Sequence, residues 1–497
     1  MIVACLALAA IAREAASQTP CEDGFAGGYP CNNVDLAAHV TPQELGGGEH
    51  ATVSDMWGWV DPVTGREFAL VGRTDGTAFV DVTDPLAPRY LGNLPTHDGR
   101  GATERDIKVY GDYAYIVSEG IGHGIQIFDL AQLRGITEAD TLSATARYDS
   151  VASVHNIAIN QETGFAYALG SNRGGTTCGG GLHMIDLADP IAPEFAGCFA
   201  DLNTGGGGTG YTHDAQCIVY EGPDAAYVGR EICFGSNVNA ISIADVTDKQ
   251  SPEAITHATY PTARFVHQGW LTADHAYFYQ NDEGDEGRDA RTMTIVWDIS
   301  DLDDPRVITI HEHSTVGTDH NLFIRGNRLY QAHYDNGLRI SDISDPGQIM
   351  ELGYFDTVPD DDPYPFAGAW TAYPFFDSGA VLVSSHNGLF VLVPTGDAAV
   401  GVQGEAAQHP MPVAMAVTPN PMRESGVVTL RVDRETHLRV VVHDLLGREV
   451  RVLADGRFAP DAATEIPISR DGLPSGTYFV SARDGDAVTT TKFVAIN

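Results

Sequence analysis

Apolar and polar residues alternate along most of this chain in short runs, and the runs come in sets. Within 319–356, DHNLFIRGN, RLYQAHYDN, GLRISDISD and IMELGYFDT each alternate with period two and are separated by Gly, Asn or Asp. This pattern predicts four β-strands joined by tight turns. From Val266 the set recurs as VHQGWLTAD, HAYFYQND, TMTIVWDIS and PRVITIHEH. From Thr212 it recurs as THDAQCIVYEG, AAYVGREIC, AISIADVTD and PEAITHATY. The third strand carries a signature, TAFVDVTDP, LHMIDLADP, AISIADVTD, IVWDISD or GLRISDISDP, closed by an acidic turn. IQIFDLAQL is a weaker copy, and LFVLVPTGD keeps the strand and loses the acid.

The acids at Asp81, Asp129, Asp186, Asp245, Asp298 and Asp342 are spaced by 44 to 59 residues. Repeats of that length, each with several strands, predict propeller blades. A four-stranded sheet cannot bury both faces alone, whereas seven packed around an axis bury them against each other. The recurrent Asp is expected to bond turn N–H groups, and Pro to end the ladder. The seventh unit, Gly368–Gly396, shows only three strands. NVDLAAHVT, Asn33–Thr41, is predicted to supply its outer strand and close the ring.

After Pro394 the periodicity stops in an Ala/Gly/Gln/Pro-rich stretch, then resumes as VVTLRVD, LRVVVHDLLGREV, TEIPISRDGL, GTYFVSARDG and TTTKFVAIN. The predicted organisation is an export signal over 1–18, a propeller over 19–395, a linker over 396–414 and a β-sandwich over 415–497. The class is therefore all-β: a seven-bladed β-propeller followed by a small Ig-like β-sandwich.

Charge narrows the partners. The 497 residues carry 29 Lys+Arg against 67 Asp+Glu, a net charge of −38, which excludes nucleic acid and anionic membranes as partners. The apolar run Ile2–Ala12 is too short to span a bilayer and is followed by small residues, as at a signal-peptidase site. No other stretch is long and apolar enough for a membrane helix. Beyond Cys5, the cysteines Cys21, Cys31, Cys178, Cys198, Cys217 and Cys233 form an even set, expected to be disulfide-bonded in an exported chain. Cys21 with Cys31 is the nearest local pair. The others pair most simply as 178–198 and 217–233, although the sequence does not fix this.

Two resemblances add to this reading. TPNPM, VVHDLLGREV, LPSGTYFV and the terminal KFVAIN resemble the type A sorting domain of the type IX secretion system. That implies the type IX machinery as a partner, export across the outer membrane, and a product that is secreted, extracellular or attached to the outer-membrane surface. WGWVDPVTGREFALVG, GYTHDAQCIVY, GREICF, VHQGW, DHNLF and NGLRISDISDP resemble the choice-of-anchor B family of LVIVD-repeat propellers. That family is defined by architecture, so the resemblance implies fold and location and no particular reaction.

The starts of the first strands carry the candidate chemistry. Four successive units place His155, His213, His267 and His320 at one phase. First strands line a propeller's channel, so four imidazoles could converge on one transition metal, Fe, Cu or Zn. Asp55, Asp106 and Trp370 take the equivalent places in the other units. The second strands are read as ending in Glu119, Asn172, Glu231, Asp282 and Asp335. Of these, Glu231 and Asp282, with Asp214 beside His213, are candidate outer partners of the ligands. The plain alternative is that the histidines bond backbone between blades. The acidic loops NDEGDEGRD and PDDDP would suit calcium, though the spacing misses the EF-hand pattern and a solvated loop accounts for it. Trp57, Trp59, Trp270 and Trp370 cluster at the starts of the units, where packing accounts for them and any that face the channel would suit a sugar or peptide. The expected function is an exported binding module with a protein or glycan ligand. The alternative is a metal-dependent oxidase or hydrolase with an axial His-bound metal.

Overall fold

Every copy of the acidic signature closes the same turn. The Oδ1 atoms of Asp81, Asp129, Asp186, Asp245, Asp298 and Asp342 accept the N–H of the residue two positions on, at 2.8–3.1 Å. The repeat is thus a local turn device and carries no chemistry of its own. In three blades an arginine at or just before the start of the neighbouring strand, Arg66, Arg230 or Arg328, also pairs with that carboxylate.

The computed structural model describes residues 18–399 except 98, 172, 285–290 and 360–365. It also describes 413–495 except 419–421, 424, 433–435, 444–448, 460–463, 471–472, 474–475 and 485–486. The export signal and most of the linker read from the sequence lie outside the described residues. The chain divides into two compact units, Met1–Val400 and Gly401–Asn497.

Among the described residues, the first unit holds seven sheets of four to six strands and one two-stranded ribbon. The innermost strand of each sheet lies against that of the next, and the last lies against the first, which closes a ring. The strands are Val53–Val60, Ile107–Tyr110, Asn156–Asn160, Asp214–Val219, Val266–Leu271, Asp319–Arg325 and Ala369–Tyr373. We number the blades one to seven in that order. The core is divided the same way, with one buried apolar cluster between each pair of neighbouring sheets. Stacking between blades therefore does the work that a single sheet cannot.

The outer strand of blade seven comes from the N-terminal end of the chain: Val34–Val40 pairs antiparallel with Gly388–Pro394. The lead-in strand Tyr29–Asn32 adds to the edge of blade six, with Cys31 opposite Phe355. Disulfides join Cys21 to Cys31, Cys178 to Cys198 and Cys217 to Cys233.

Blades also lock through ion pairs. Arg134 follows the third strand of blade two and reaches Asp61 of blade one, with Nη2 2.7 Å from Oδ1. Asp61 also accepts from Val63 N–H and Thr64 Oγ1. The Arg134 guanidinium, more than the cost of burial, holds the Asp61 carboxyl well below the usual carboxylate range. A depressed carboxylate stabilises the fold fully above its unfolded value near ~4 and progressively less as pH falls below it. Asp61→Asn is therefore expected to lower the melting temperature most at pH 7, with the difference from wild type narrowing steadily from pH 5 to pH 2. Thermal melts across that range check this.

The second unit pairs a three-stranded sheet with a four-stranded one. Val428 and Leu430 of the first pack with Leu438, Val440, Val442, Val480 and Phe493 of the second to form its core.

Candidate functional site at the histidine row

The inner strands bring the four histidines into a row. Ring centroids are 4.2 Å apart for His155–His213, 4.3 Å for His213–His267 and 4.4 Å for His267–His320. Trp370 continues the row at 4.6 Å from His320. Two local devices aim these side chains. His155 and His213 directly precede their strands. In blades five to seven the ladder skips a residue, between Val266 and Gln268, Asp319 and Leu322, and Ala369 and Thr371. His267, His320 and Trp370 sit in those irregularities, which release them from the pleat and turn them toward the axis.

The row lines a cavity of about 470 Å³ with Glu104, Glu119, Tyr211, Phe265, Glu283 and Tyr334. His213 Nδ1 donates to the His267 carbonyl at 3.0 Å, and His320 Nδ1 donates to the Trp370 carbonyl at 2.5 Å. These bonds to the next blade leave Nε2 of each ring as the basic nitrogen. Glu283 Oε2 lies 3.9 Å from His267 Nε2, and its Oε1 accepts from Tyr334 OH at 2.7 Å. Donor atoms of His267, Glu283 and His320 all lie within 4.8 Å of one another.

The charges in the row are uneven. Burial, reinforced by neighbouring imidazoles, drives His213 and His267 well below the usual histidine range. Burial pushes His320 down to about 3. Burial also works against a charge on His155, but its 2.9 Å contact with Glu119 Oε1 and the nearby carboxylates of Glu104 and Glu119 outweigh it and raise its pKa. Burial, opposed in part by His155, raises Glu104 to about 7. Three imidazoles held in the neutral form thus stand beside His155, whose charged form its carboxylate neighbours favour.

Several residues predicted from the sequence fall elsewhere. Trp370 is level with the histidines, but Asp55 lines the opposite end of the channel together with Asp214, Gln268 and Asn321. Asp106 belongs to that level as well, since it holds Lys108 there at 2.6 Å. The levels shift because Ser54 and Arg105, and not the aspartates after them, take the histidine phase. Asp214 lines the same opposite cavity as Lys108 and acts on the row only through its charge, at His155. Glu231 opens its strand, Glu231–Ser236, instead of closing one. It is buried against Lys249, Tyr167 and Asn160. Asp282 holds the loop before its own blade, accepting Arg264 and Phe265 N–H at 2.7 and 2.6 Å. Its neighbour Glu283 reaches the row instead, at His267, as Glu119 does at His155. Asn172 and most of both acidic loops lie outside the described residues.

The fold defines a β-propeller with a separate β-sandwich. Two family models then match: Secretion system C-terminal sorting domain over 416–497, and LVIVD repeat over 101–122 and 317–357. The chain carries LVIVD repeats and a sorting domain that indicates type IX secretion, so it is an exported protein, secreted or surface-attached. No helix among the described residues is long and apolar enough to cross a membrane. No curated protein matches. Among solved structures, a protein from Lactobacillus plantarum is 12% identical with a TM-score of 0.44, covering 84% of this chain and 99% of its own. A functionally unknown protein from Desulfotomaculum acetoxidans is 12% identical with a TM-score of 0.40, covering 69% and 89%.

Proposed function

We propose that this exported propeller is a binding protein whose channel mouth holds one divalent transition-metal ion on His267, His320 and Glu283. The supporting observation is the approach of these three donor atoms to within 4.8 Å of one another. Donors around a tetrahedral ion with bonds of ~2.1 Å stand about 3.4 Å apart, so small side-chain rotations suffice. Two imidazoles and a carboxylate suit zinc or ferrous iron and do not make the all-oxygen shell calcium requires. The His320 bond to the Trp370 carbonyl is the outer partner a ligating histidine uses to fix its ring. Three protein ligands leave positions open toward the cavity, where a ligand oxygen or water would bind. Turnover, hydrolytic or oxidative, would depend on that ion.

A second reading has its own support. The Nδ1 bonds of His213 and His320 tie neighbouring blades together, which by itself is a structural role. Plasma mass spectrometry and cobalt(II) absorption on the whole purified chain separate the two. The metal reading expects near-stoichiometric metal in the wild type. It also expects affinity to fall by at least about 100-fold in folded His320→Ala and Glu283→Gln variants, a loss at the upper end of that seen even for outer-shell partners. A wild type that retains no zinc, iron, copper, cobalt or manganese after loading and dialysis overturns it and leaves the structural reading.

A further inference from the structure

The opposite end of the channel has its own cavity, of about 550 Å³, lined by Trp57, Trp270, Phe323, Tyr373 and Phe375 among others. This volume lies within the ~300–1,000 Å³ range of small-molecule sites. The five rings form one connected cluster, with Trp57 5.7 Å and Trp270 4.9 Å from Phe323, and Phe375 5.3 Å from Tyr373. Trp57, Trp270 and Phe375 remain half-buried, so part of each ring is open to the cavity they line. The histidine row is not part of this lining.

The polar floor is built from the inner strands one level below the histidines, where alternate residues face the axis. Gln216 and Gln268 spend their side-chain oxygens on Leu271 and Leu322 N–H of the next blades, at 2.8 and 2.9 Å. What each presents to the cavity is therefore its NH2 group. Asp214 supplies acceptor oxygens, and Asn321 reaches Asp55 at 3.4 Å. Lys108 also lines the cavity, with Nζ 2.6 Å from Asp106 Oδ1 and 4.6 Å from the Trp57 ring.

This inventory selects a ligand class. Burial pushes the Asp55 carboxyl well above the usual carboxylate range and Asp214 up to about 7, and Asp106 is paired with Lys108, so the floor carries little net charge and leaves no free cation for an anion. Lys108 already takes the Trp57 face and the carboxylates, and so excludes a cation. What remains is a neutral molecule with apolar faces and many hydroxyls, able to stack on rings and exchange hydrogen bonds with fixed donors and acceptors. We propose that the Trp57–Trp270 cavity is a carbohydrate-binding site for a neutral sugar, one or two rings long. The site is independent of any metal at the other mouth.

The test is binding of neutral mono- to tetrasaccharides of hexoses, pentoses and N-acetylhexosamines to the whole chain. Tryptophan fluorescence and saturation-transfer NMR provide the readouts, with and without EDTA. At least one sugar is expected to bind, indifferent to EDTA. Trp270→Ala and Asp214→Asn are each expected to weaken it at least about tenfold, the equivalent of one lost good contact. Asp214→Asn keeps the shape and serves if Trp270→Ala does not fold. A response to free sugar points to a small soluble ligand, and a response only to the longer members points to a polysaccharide end. Binding by none of these sugars, binding only of charged sugars or peptides, or binding untouched by both variants overturns the assignment.

Discussion

Removing residues 18–41 should abolish cooperative folding of the propeller. Three layers of contact are lost at once. Val34–Val40 completes blade seven, and without it Gly388–Pro394 becomes an open edge with unpaired backbone groups. Val34 and Cys31 are buried in the cluster between blades six and seven. Asn33 Nδ2 donates to the Leu352 carbonyl of blade six at 2.8 Å, and the His39 ring stacks on Phe390 at 4.1 Å, so the segment staples two blades. A ring cannot lose one closure locally, because each blade is buried only by its neighbours. Val34→Asp, a single charge in a wholly buried site, is expected to cost about 3 kcal/mol or more. The counter-experiment is a permutant that carries 29–41 behind residue 399. The closing strand is antiparallel to the last one, so a short loop can join them, and this chain is expected to fold. Differential scanning calorimetry and solubility decide the matter. A cooperative transition in the deletion would show that the closing strand is dispensable.

That closure was legible because its signals are local. NVDLAAHVT alternates, precedes a complete four-strand set, and matches a C-terminal set one strand short. The acidic turns were legible for the same reason, since an Asp and the N–H two residues on need no tertiary context. The phase of the four histidines was also local and survives in space. What failed to read through was the level of the side chains along the axis. Ladder irregularities in blades five to seven place consecutive residues, His267 with Gln268 and His320 with Asn321, at opposite ends of one channel. Strict alternation forbids this, so a period-two reading puts Asp55 and Asp106 one level too high. Glu283 stands inside the acidic run NDEGDEGRD, which reads in sequence as a solvated loop. It was separable from the rest of that run only once Tyr334 OH, fifty-one residues on, was seen to bond it.

Glu231 and Lys249 give the second large effect, and they test the sequence reading that set Glu231 beside the metal. The pair is almost wholly buried, with Lys249 Nζ 2.6 Å from Glu231 Oε2. Every other valence is used. Glu231 Oε1 accepts Asn160 Nδ2 at 2.9 Å and Thr163 Oγ1 at 2.8 Å, as well as Tyr167 OH. Lys249 Nζ donates to the Val246 carbonyl at 2.7 Å and lies 4.0 Å from the Phe165 ring. Deleting one partner strands an uncompensated charge, so Lys249→Ala and Glu231→Ala should each cost about 3–5 kcal/mol. The double variant Glu231→Leu, Lys249→Met should cost far less than the sum, because it removes the charge that either single variant leaves exposed to a dry interior. Denaturant unfolding of the four chains measures the coupling. The metal analysis of the same folded variants then separates structure from site. A clamp between blades three and four lowers stability and leaves metal content unchanged, whereas an outer partner of the row would lower metal affinity at wild-type stability.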